Sequence, residues 1–444
     1  MAASLYDEVA YPGQPFAQTH PDRLATIAAL CGLKFTPVKT CRVLELACGD
    51  GGNLIPMAVA LPDARFTGVD LAATPVAEGN RTIAALHLKN IELRAADLLE
   101  VDRSWGKYDY IITHGLYSWS PPAVRDRILK ISKENLAPDG VAYVSYNALP
   151  GGRIRQMLRE MMLFHAGDFE DPGERVEQAR ALLSFAAAAP TRPDRFHRFL
   201  GEEIERMRER ESWALFHDEL AEFHEPVYFH RFIDHAAEQG LQYLGEAELF
   251  DMNEARLTPE AIGILDAIAS DDRVLREQYA DFAKCRRFRQ TLLCHRDREV
   301  RFPPAPATLA NLSGSLFAST AAVEVSKNEF RAPNGAAMKT AHPPTRAMLR
   351  ALMRAAPQAL SLAEWKADPR LLLAASMSGI TELHTTRLPL AAKPGPRPEA
   401  SPLARYQIVR GLPLTTLHHA TLMIDDPIDR RLLPLLDGTR TRRE

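Results

Sequence analysis

Between Cys41 and Tyr146, short apolar runs alternate with longer stretches of helical periodicity. The runs are RVLEL, ARFTGVD, IELRAAD, YDYIIT and GVAYVSY, which are rich in β-branched and aromatic residues. The stretches between them are NLIPMAVAL, TPVAEGNRTIAALHL and PPAVRDRILKISKENL. Strands that alternate with helices are typical of a parallel, doubly wound sheet, so the alternation predicts an α/β fold for this part of the chain.

The segment VLELACGDGGN, from Val43 to Asn53, leaves the first predicted strand through a run of glycines. Glycine adopts positive φ without strain and lets a backbone approach a ligand closely. A strand, a glycine loop and a helix in succession place free N–H groups beside that ligand. Because doubly wound sheets bind ligands at the carboxyl ends of their strands, the segment predicts a ligand loop there.

Two classes of cofactor compete for such a loop. A dinucleotide site requires G-x-G-x-x-G, and here Gly49 and Gly51 supply two glycines while Leu54 stands at the third position. Asp50 in the loop and Glu45 on the strand before it would repel a pyrophosphate. S-adenosylmethionine carries a sulfonium and an ammonium and no phosphate, so the acidic loop favours this cofactor over NAD.

Two further acidic residues end the next strands. Asp70 closes ARFTGVD, 25 residues after Glu45, where a carboxylate can accept both ribose hydroxyls. Asp97 closes IELRAAD and could face the adenine amine or cap a turn. Three acidic strand ends beside a glycine loop strengthen the prediction of an S-adenosylmethionine site.

The segments VLELACGDGGN, FTGVD and RAAD resemble the first three motifs of class I S-adenosylmethionine-dependent methyltransferases. The first motif of that family is E/D-x-G-x-G-x-G, and this chain has Ala47 in place of the first glycine. The resemblance implies a Rossmann-like domain. The expected cofactor contacts are Glu45, Ala47, Gly49, Gly51, Asn53, Asp70, Leu71, Asp97, Leu98, His114, Tyr11 and His20.

Three longer stretches narrow the resemblance: YDYIITHGLYSWSPP, VSYNALPGGRIRQMLREMM and HDELAEFHEPVYFHRFIDHAAEQGLQYLGEAEL. They are similar to bacterial methyltransferases that carry a methyltransferase regulatory domain, among them enzymes that methylate lysines of outer-membrane proteins. The similarity covers residues 5–300 well and residues 301–444 less well. It implies a protein substrate with a lysine acceptor. Residues alone leave two alternatives open: a small-molecule methyltransferase and a non-catalytic cofactor-binding module.

The fourth and fifth predicted strands end in aromatic residues on the expected acceptor side. His114, Tyr117 and Trp119 follow the fourth strand, and Tyr146 ends the fifth. We expect these four as catalytic or pocket-lining residues, because an amine acceptor is held against aromatic groups. The alternatives are a hydrogen-bonded histidine at 114 and ordinary packing of the aromatic rings. Tyr11 and His20 are expected to close over the methionine end of the cofactor.

Four segments are expected. They are the methyltransferase domain at 1–165, a helical middle or regulatory domain at 166–300, a small α+β, winged-helix-like domain at 301–392, and a linker with the C-terminal segment at 393–444. The linker prediction rests on AKPGPRPEASP, and the helical middle domain on a composition rich in Glu, Arg, Ala and Leu.

Composition limits the partners. The net charge of −3 over 444 residues gives no electrostatic reason to bind nucleic acid. Five cysteines without a CxxC pair, and histidines spaced seven, six and five apart between 217 and 235, predict no metal site. We expect no membrane insertion, since no apolar run is long enough and the N-terminus lacks a signal-peptide pattern. A cytoplasmic protein is therefore expected, and a homodimer is possible.

Overall fold

A seven-stranded sheet forms the centre of the molecule. The computed structural model describes residue 9 and residues 11–254, 257–387 and 389–444. The strands are β1 Arg42–Leu46, β2 Arg65–Asp70, β3 Ile91–Ala95, β4 Tyr108–Thr113, β5 Leu136–Asn147, β6 Leu241–Glu246 and β7 Phe288–His295. Their order is β3-β2-β1-β4-β5-β7-β6, and β1 to β5 are parallel, whereas β7 is antiparallel to both of its neighbours. The five strands predicted up to residue 146 are confirmed.

The strand order reverses between β1 and β4, which places a crevice at their carboxyl ends. In the register, Glu45 lies opposite Gly68 in β2 and Ile112 in β4. The glycine loop that follows β1 therefore lies between the end of β2, with Asp70, and the end of β4, with His114. Ligands of doubly wound sheets bind at such a reversal.

The helices α1 Pro21–Leu30, α2 Leu54–Ala60, α3 Ala73–Ala85 and α4 Pro122–Asn135 belong to the same domain. Helices α2 to α4 confirm the three helical stretches predicted between the strands. Short 3₁₀ turns lie at Ala17–Thr19, Val38–Thr40, Leu98–Glu100, Arg103–Trp105 and Tyr117–Trp119.

Side chains of the central strands alternate between two apolar layers. Val43 and Ile112 belong to the cluster on one face, with residues of α1 and α2. Leu44 and Ile111 belong to the cluster on the other face, with residues of α4. Because both faces are covered, these strands are apolar on both sides, and the period of two in side-chain direction assigns neighbouring residues to opposite layers.

A helical middle region follows β5. Its helices are α5 Gly152–Ala166, α6 Pro172–Ala188, α7 Arg195–Arg208 and α8 Ser212–Ala214, with a π turn at Leu215–Glu219, then α9 Phe229–Glu238, a 3₁₀ turn at Leu249–Met252, α10 Pro259–Ala269 and α11 Arg273–Lys284. Helices α5 to α7 share an apolar core of their own, which includes Leu158, Leu183 and Ile204.

Strands β6 and β7 were not anticipated from the sequence, where residues 153–295 suggested mostly helix. Strand β7 carries Arg289 as its second residue, fully buried and paired with Glu246 (2.6 Å), Glu277 (2.9 Å) and Asp281 (2.8 Å). A charged residue in a strand interior conceals the apolar pattern by which a buried strand is recognised. The ion pairs make this burial possible, and their carboxylates come from two elements, with Glu246 at the end of β6 and Glu277 and Asp281 both in α11.

The C-terminal part consists of small elements. They are α12 Pro306–Asn311, β8 Phe317–Ser319, β9 Val323–Ser326, β10 Glu329–Arg331, β11 Ala337–Lys339, α13 Pro343–Ala355, β12 Leu360–Ser361, α14 Leu362–Trp365, α15 Pro369–Met377, β13 Glu382–His384, α16 Pro402–Val409, β14 Leu414–Thr415, β15 Thr421–Leu422, α17 Pro427–Leu432 and a 3₁₀ turn at Leu433–Leu435. Helix α13 is amphipathic, with Met348, Leu349 and Leu352 on its buried side. The boundaries at 165, 300 and 392 stay predictions.

No helix in the described part of the chain is long and apolar enough to cross a lipid bilayer.

Candidate functional site

The glycine loop is a tight turn with its open side toward the crevice. Ala47, Gly49 and Gly51 all have positive φ, at 59°, 55° and 75°. A Cβ atom on Gly49 would meet nothing within 4 Å, so the loop backbone faces open space there. Ala47 holds the left-handed conformation that glycine adopts at no steric cost. This conformation explains why the methyltransferase motif has glycine at the position where this chain has alanine.

Glu45 is the most buried acidic residue at the loop, with only 4 % of its surface exposed. The Asn53 side-chain amide donates to its Oε1 (2.7 Å), while its Oε2 is buried without a hydrogen-bond partner. Burial raises the pKa of Glu45 to about 8, against the Asn53 hydrogen bond and with the help of the Asp70 and Asp50 charges. A buried oxygen without a donor is costly, and a cationic ligand in the crevice would supply the missing partner.

The other acidic residues are held by local backbone bonds. Asp70 accepts from the Gly49 N–H (2.8 Å) and the Ala72 N–H (2.9 Å), and Asp97 accepts from the Leu99 N–H (2.9 Å). Both carboxylates are half-buried. A carboxylate has about four acceptor sites, so backbone N–H groups and ligand hydroxyls can bind the same side chain.

The two leucines expected at the cofactor differ in environment. Leu98 is buried, whereas Leu71 is 53 % exposed.

Residues 11–20, here called the cover segment, cross the carboxyl ends of β1 and β4. A Cβ atom on Gly52 would lie only 2.4 Å from the carbonyl carbon of Gly13, so the two backbones touch. The Phe16 N–H donates to Asn53 Oδ1 (3.0 Å), and the Phe16 ring packs on His114 at 3.9 Å between centroids. The cover segment therefore lies across the crevice. Sequence reasoning missed Phe16, since nothing in its local sequence shows what it covers.

The two residues of the cover segment that the sequence singled out lie at its ends. Tyr11 packs edge-on against Trp213 (4.6 Å) and also contacts His217 in the middle region, and burial raises its pKa to about 12. His20 is buried at the start of α1, where its Nδ1 accepts from the Asp22 N–H (3.2 Å). Burial lowers the pKa of His20 to about 4. The segment between them, rather than these two side chains, makes the hydrogen bonds to the glycine-loop region.

His114 lies at the end of β4 under the cover segment. Its Nδ1 is 3.0 Å from the Tyr143 hydroxyl and 3.2 Å from the Ser145 hydroxyl. Burial lowers its pKa to about 4, so the ring is neutral at pH 7. A neutral imidazole can exchange hydrogen bonds with an acceptor molecule, but it is a weak base for an ammonium group.

Tyr117 and Tyr146 differ from expectation, because both pack inside the apolar layer next to α4 and α9. The Tyr117 hydroxyl bonds to His235 Nδ1 (2.8 Å), and the Tyr146 hydroxyl bonds to Thr291 (3.0 Å). Both rings contact Phe232, at 5.0 and 4.2 Å between centroids. The structure thus gives them core packing, the alternative that the sequence left open for Tyr117.

Trp119 is partly exposed and contacts residues from two other elements. Its ring stacks on His224 at 4.3 Å, and the Arg155 guanidinium lies 5.1 Å from its ring centre. Asn147, at the end of β5, donates from its Nδ2 to His224 Nε2 (2.9 Å). Burial, together with Arg155, Arg159 and Arg125, lowers the pKa of His224 to about 3. The middle region therefore supplies the residues that contact the Trp119 ring.

Asn53 receives one contact from the far end of the chain. The His419 Nε2 lies 2.8 Å from Asn53 Oδ1, and His419 is buried. Asn53 was expected as a cofactor contact, and the structure places it between His419 and Glu45. The two residues are 366 positions apart, so no local sequence signal connects them.

Three family models match successive parts of the chain. "Methyltransferase domain" matches residues 43–140, "Predicted methyltransferase regulatory domain" matches residues 211–295, and "PKMT, C-terminal winged helix domain" matches residues 396–444. The winged-helix match lies C-terminal to residues 301–392, for which the sequence analysis expected that fold.

Known relatives extend the similarity over most of the chain. One uncharacterized protein of Rickettsia prowazekii is 41 % identical over 66 % of this chain and 53 % of its own length. A second is 38 % identical over 54 % of this chain and 96 % of its own length. The chain thus spans about half of one relative and nearly all of the other.

The chain is similar to the structure of PKMT2 from Rickettsia typhi, at 29 % sequence identity and a TM-score of 0.86. The match covers 97 % of this chain and 89 % of the PKMT2 chain. The same protein in complex with AdoHcy matches with a TM-score of 0.84. This chain belongs to the S-adenosylmethionine-dependent methyltransferases that carry a methyltransferase regulatory domain. Its fold is a methyltransferase domain with a mostly parallel sheet, a helical middle region and a C-terminal winged-helix domain.

S-adenosylmethionine is the cofactor of this methyltransferase, and the crevice residues fit it. The unpartnered Oε2 of Glu45 suits a cationic group, and the open side of Gly49 admits a ligand against the loop backbone. In the described residues, no group of three or more His, Cys, Asp or Glu side chains is arranged to hold a metal ion.

Proposed function

We propose that this methyltransferase methylates side-chain amines of proteins, with lysine as the acceptor. The carrying observation is the similarity to PKMT2, which extends through 97 % of the chain and includes the regulatory and winged-helix regions as well as the catalytic domain. A match confined to the catalytic domain would support only the cofactor, since that domain serves many acceptors.

We assign cofactor binding to the residues around the glycine loop. Glu45 and Asp70 offer carboxylate oxygens at the ends of β1 and β2, Gly49 offers an open backbone, and Asp97 lies at the end of β3. When bound, S-adenosylmethionine supplies a methyl group activated by a sulfonium. The chain itself orients that group, and the cover segment keeps water away from it.

The acceptor side is built from ring systems on three elements. Phe16 of the cover segment packs on His114 at the end of β4, Trp119 and His224 face each other at 4.3 Å, and Tyr11 packs on Trp213. Aromatic faces attract an alkylammonium group and also accommodate its neutral amine form. The Asp218 carboxylate nearby already pairs with Arg210, so the rings rather than a free carboxylate are left to hold the acceptor.

The acceptor amine must be neutral when it reacts, and the crevice favours this state by desolvation. His114 and His224 are uncharged at pH 7, with pKa values lowered to about 4 and about 3, so neither ring repels a lysine ammonium. No protein base is required if the amine loses its proton to water before it enters the crevice.

The test is methyl transfer from radiolabelled S-adenosylmethionine to an outer-membrane protein preparation from a Gram-negative bacterium. The preparation is divided, and one half is acetylated beforehand to block its lysines. We expect label on protein bands in the untreated half, loss of that label in the acetylated half, and methyl-lysine after hydrolysis. An Asp70→Ala variant is the enzyme control and should give no label.

Label that survives acetylation would overturn lysine as the acceptor. Label confined to small molecules would favour a small-molecule methyltransferase. Absence of label, with S-adenosylhomocysteine binding still measurable by calorimetry, would favour a non-catalytic binding module once soluble proteins of the same cells have also been offered.

A further inference from the structure

We propose that His419 is a positioning residue of the cofactor site, which acts through Asn53 on the Glu45 carboxylate. The winged-helix region would thereby complete the cofactor site of a domain that ends more than 200 residues earlier. The inference rests on cofactor binding and not on the identity of the methyl acceptor.

His419 is held at the tip of a hairpin formed by β14 and β15, in which Thr415 pairs with Thr421. The His419 N–H donates to the Thr416 carbonyl (2.9 Å), and the Thr416 N–H donates to the Ala420 carbonyl (2.9 Å). His419 has φ of 57°, a conformation that residues other than glycine adopt at a cost of about 1 kcal/mol or more. The turn thus holds a strained residue whose side chain enters the methyltransferase domain.

The hairpin tip is buried against the catalytic domain. A small cavity beside His419 is lined by His20 and by Pro56, Val59 and Ala60 of helix α2. The His419 and His20 rings are 5.4 Å apart. Tyr406 in α16 lies 3.3 Å from Thr82 in α3, which gives the winged-helix region a second contact with the same domain. The hairpin tip is therefore packed against the catalytic domain at several residues and not through a single contact.

A directed chain of hydrogen bonds leads from His419 to the cofactor crevice. His419 Nε2 donates to Asn53 Oδ1 (2.8 Å), and Asn53 Nδ2 donates to Glu45 Oε1 (2.7 Å). Asn53 Oδ1 also receives the Phe16 N–H (3.0 Å). Donors gathered on Oδ1 hold the amide with its NH₂ group toward Glu45.

The opposite amide orientation would place a carbonyl oxygen against the Glu45 carboxylate. His419 opposes that flip together with the Phe16 N–H, and it therefore helps to keep the Asn53 NH₂ group on Glu45 Oε1. The other oxygen, Oε2, is the buried atom left without a partner. Because Oε1 is already bonded, Oε2 remains available to a cationic ligand, which gives His419 its effect on cofactor affinity.

The coupling is reciprocal. If His419 strengthens cofactor binding, then bound cofactor must stabilise the docked hairpin by the same free energy. Occupancy of the crevice would thus be reported at residues 414–422, although the hairpin makes no contact with the cofactor in this proposal.

Calorimetry with S-adenosylhomocysteine tests the proposal without any methyl acceptor. We expect His419→Ala to weaken binding about 5- to 10-fold, the effect of losing one buried hydrogen bond. His419→Gln retains an N–H donor and should restore binding to within about twofold of wild type. His418→Ala is the matched control, because His418 is the exposed neighbour in the same turn and should leave binding unchanged.

A double-mutant cycle separates positioning from simple destabilisation. If His419 acts through Asn53, the Asn53→Ala protein should lose no further affinity when His419→Ala is added. Hydrogen exchange should slow at residues 414–422 when S-adenosylhomocysteine is added to wild type, and not in His419→Ala. Unchanged affinity of His419→Ala would overturn the proposal, and so would additive losses in the cycle.

Discussion

The two acidic ends of the cofactor crevice are built in different ways. At the Asp70 and Asp97 end, the carboxylates accept hydrogen bonds from the backbone N–H groups of Gly49, Ala72 and Leu99. At the Glu45 end, the carboxylate depends on Asn53, which in turn contacts Phe16 and His419. The first end is made within the catalytic domain, and the second by segments that come from both ends of the chain.

The two ends of the crevice therefore depend on different parts of the chain. The Gly49–Asp70 bond joins the loop after β1 to the end of the neighbouring strand β2, so the Asp70 end needs only the catalytic domain. The Glu45 end exists only when the cover segment and the C-terminal hairpin are both docked. Affinity that depends on Glu45 therefore reports on the whole chain, whereas affinity that depends on Asp70 reports on the catalytic domain.

Replacement of Glu45 should have the largest effect. Glu45→Gln removes the carboxyl group that can ionise against a cationic ligand, and we expect S-adenosylhomocysteine binding to weaken about 10- to 100-fold, the range for a hydrogen bond to a charged group. Calorimetry measures this loss directly.

The same variant should stabilise the free protein. The Glu45 pKa is raised from an ordinary 4.5 to about 8, so the folded state holds this proton more tightly than the unfolded state. Stability therefore falls as pH rises from 4.5 to 8, and Glu45→Gln should gain about 1–3 kcal/mol at pH 8. Urea unfolding at pH 5 and pH 8 tests this. Equal stability of both proteins at pH 8 would refute the charged, buried state of Glu45.

Asp70→Asn is the matched change at the other end. It removes a charge but keeps the shape, and it weakens the acceptors for the Gly49 and Ala72 N–H groups. We expect cofactor binding to fall about 10-fold, with little change in hydrogen exchange at residues 414–422. A change in exchange there as large as that of the Glu45 variant would erase the distinction between the two ends.

Protonation of His20 and His419 should cost stability in acid. Burial lowers the pKa of His20 to about 4 and that of His419 well below its usual value, so both rings are folded in the neutral form. Between pH 6.5 and about 4 the unfolded chain binds more protons, and stability is lost as pH falls through this window. Thermal unfolding of His419→Gln should depend less steeply on pH, by up to about 1.4 kcal/mol per pH unit. Parallel curves would show that His419 does not titrate on unfolding.

Asp97→Ala should have a smaller effect on binding. Its carboxylate caps the Leu99 N–H at a half-buried position, so we expect a loss of about 0.5–1 kcal/mol in stability and a change in affinity of about threefold. Chemical denaturation and calorimetry on the same samples separate the two losses.

Ala47→Gly should give the smallest change, and in the favourable direction. Ala47 has φ of 59°, where glycine is unstrained, although glycine also adds entropy to the unfolded chain. We expect a net gain of less than about 1 kcal/mol in the free energy of unfolding. A clear loss of stability would mean that the Ala47 methyl group packs usefully, against the interpretation from its φ angle.

The sequence was most informative where structure is local. The five parallel strands, the glycine loop and the acidic strand ends could all be predicted, because apolar periodicity and turn residues lie within short windows. The separation of Tyr117 and Tyr146 from the crevice could not be predicted, since adjacent strand-end residues point to opposite faces and only the packed core decides which face is buried.

Contacts between residues far apart in the sequence could not be predicted either, for a related reason. Strand β7 is stabilised around Arg289 by carboxylates from three other positions, and a single charged letter in the sequence does not show that its charge is compensated. The contact of His419 with Asn53 joins residues 366 positions apart. Such contacts depend on how the domains pack against each other, and short sequence segments carry no signal of that packing.

The backbone contact between Gly13 and Gly52 has a kinetic consequence. The cover segment crosses the crevice there, and the Phe16 N–H bond to Asn53 holds it a second time. A molecule bound beneath the cover segment therefore cannot leave until this segment moves away. The residence time of methyl donor and spent product would then be set by the opening rate of about ten residues of backbone. At saturating substrate, the turnover rate would then equal the opening rate of the cover segment, even if methyl transfer itself is faster.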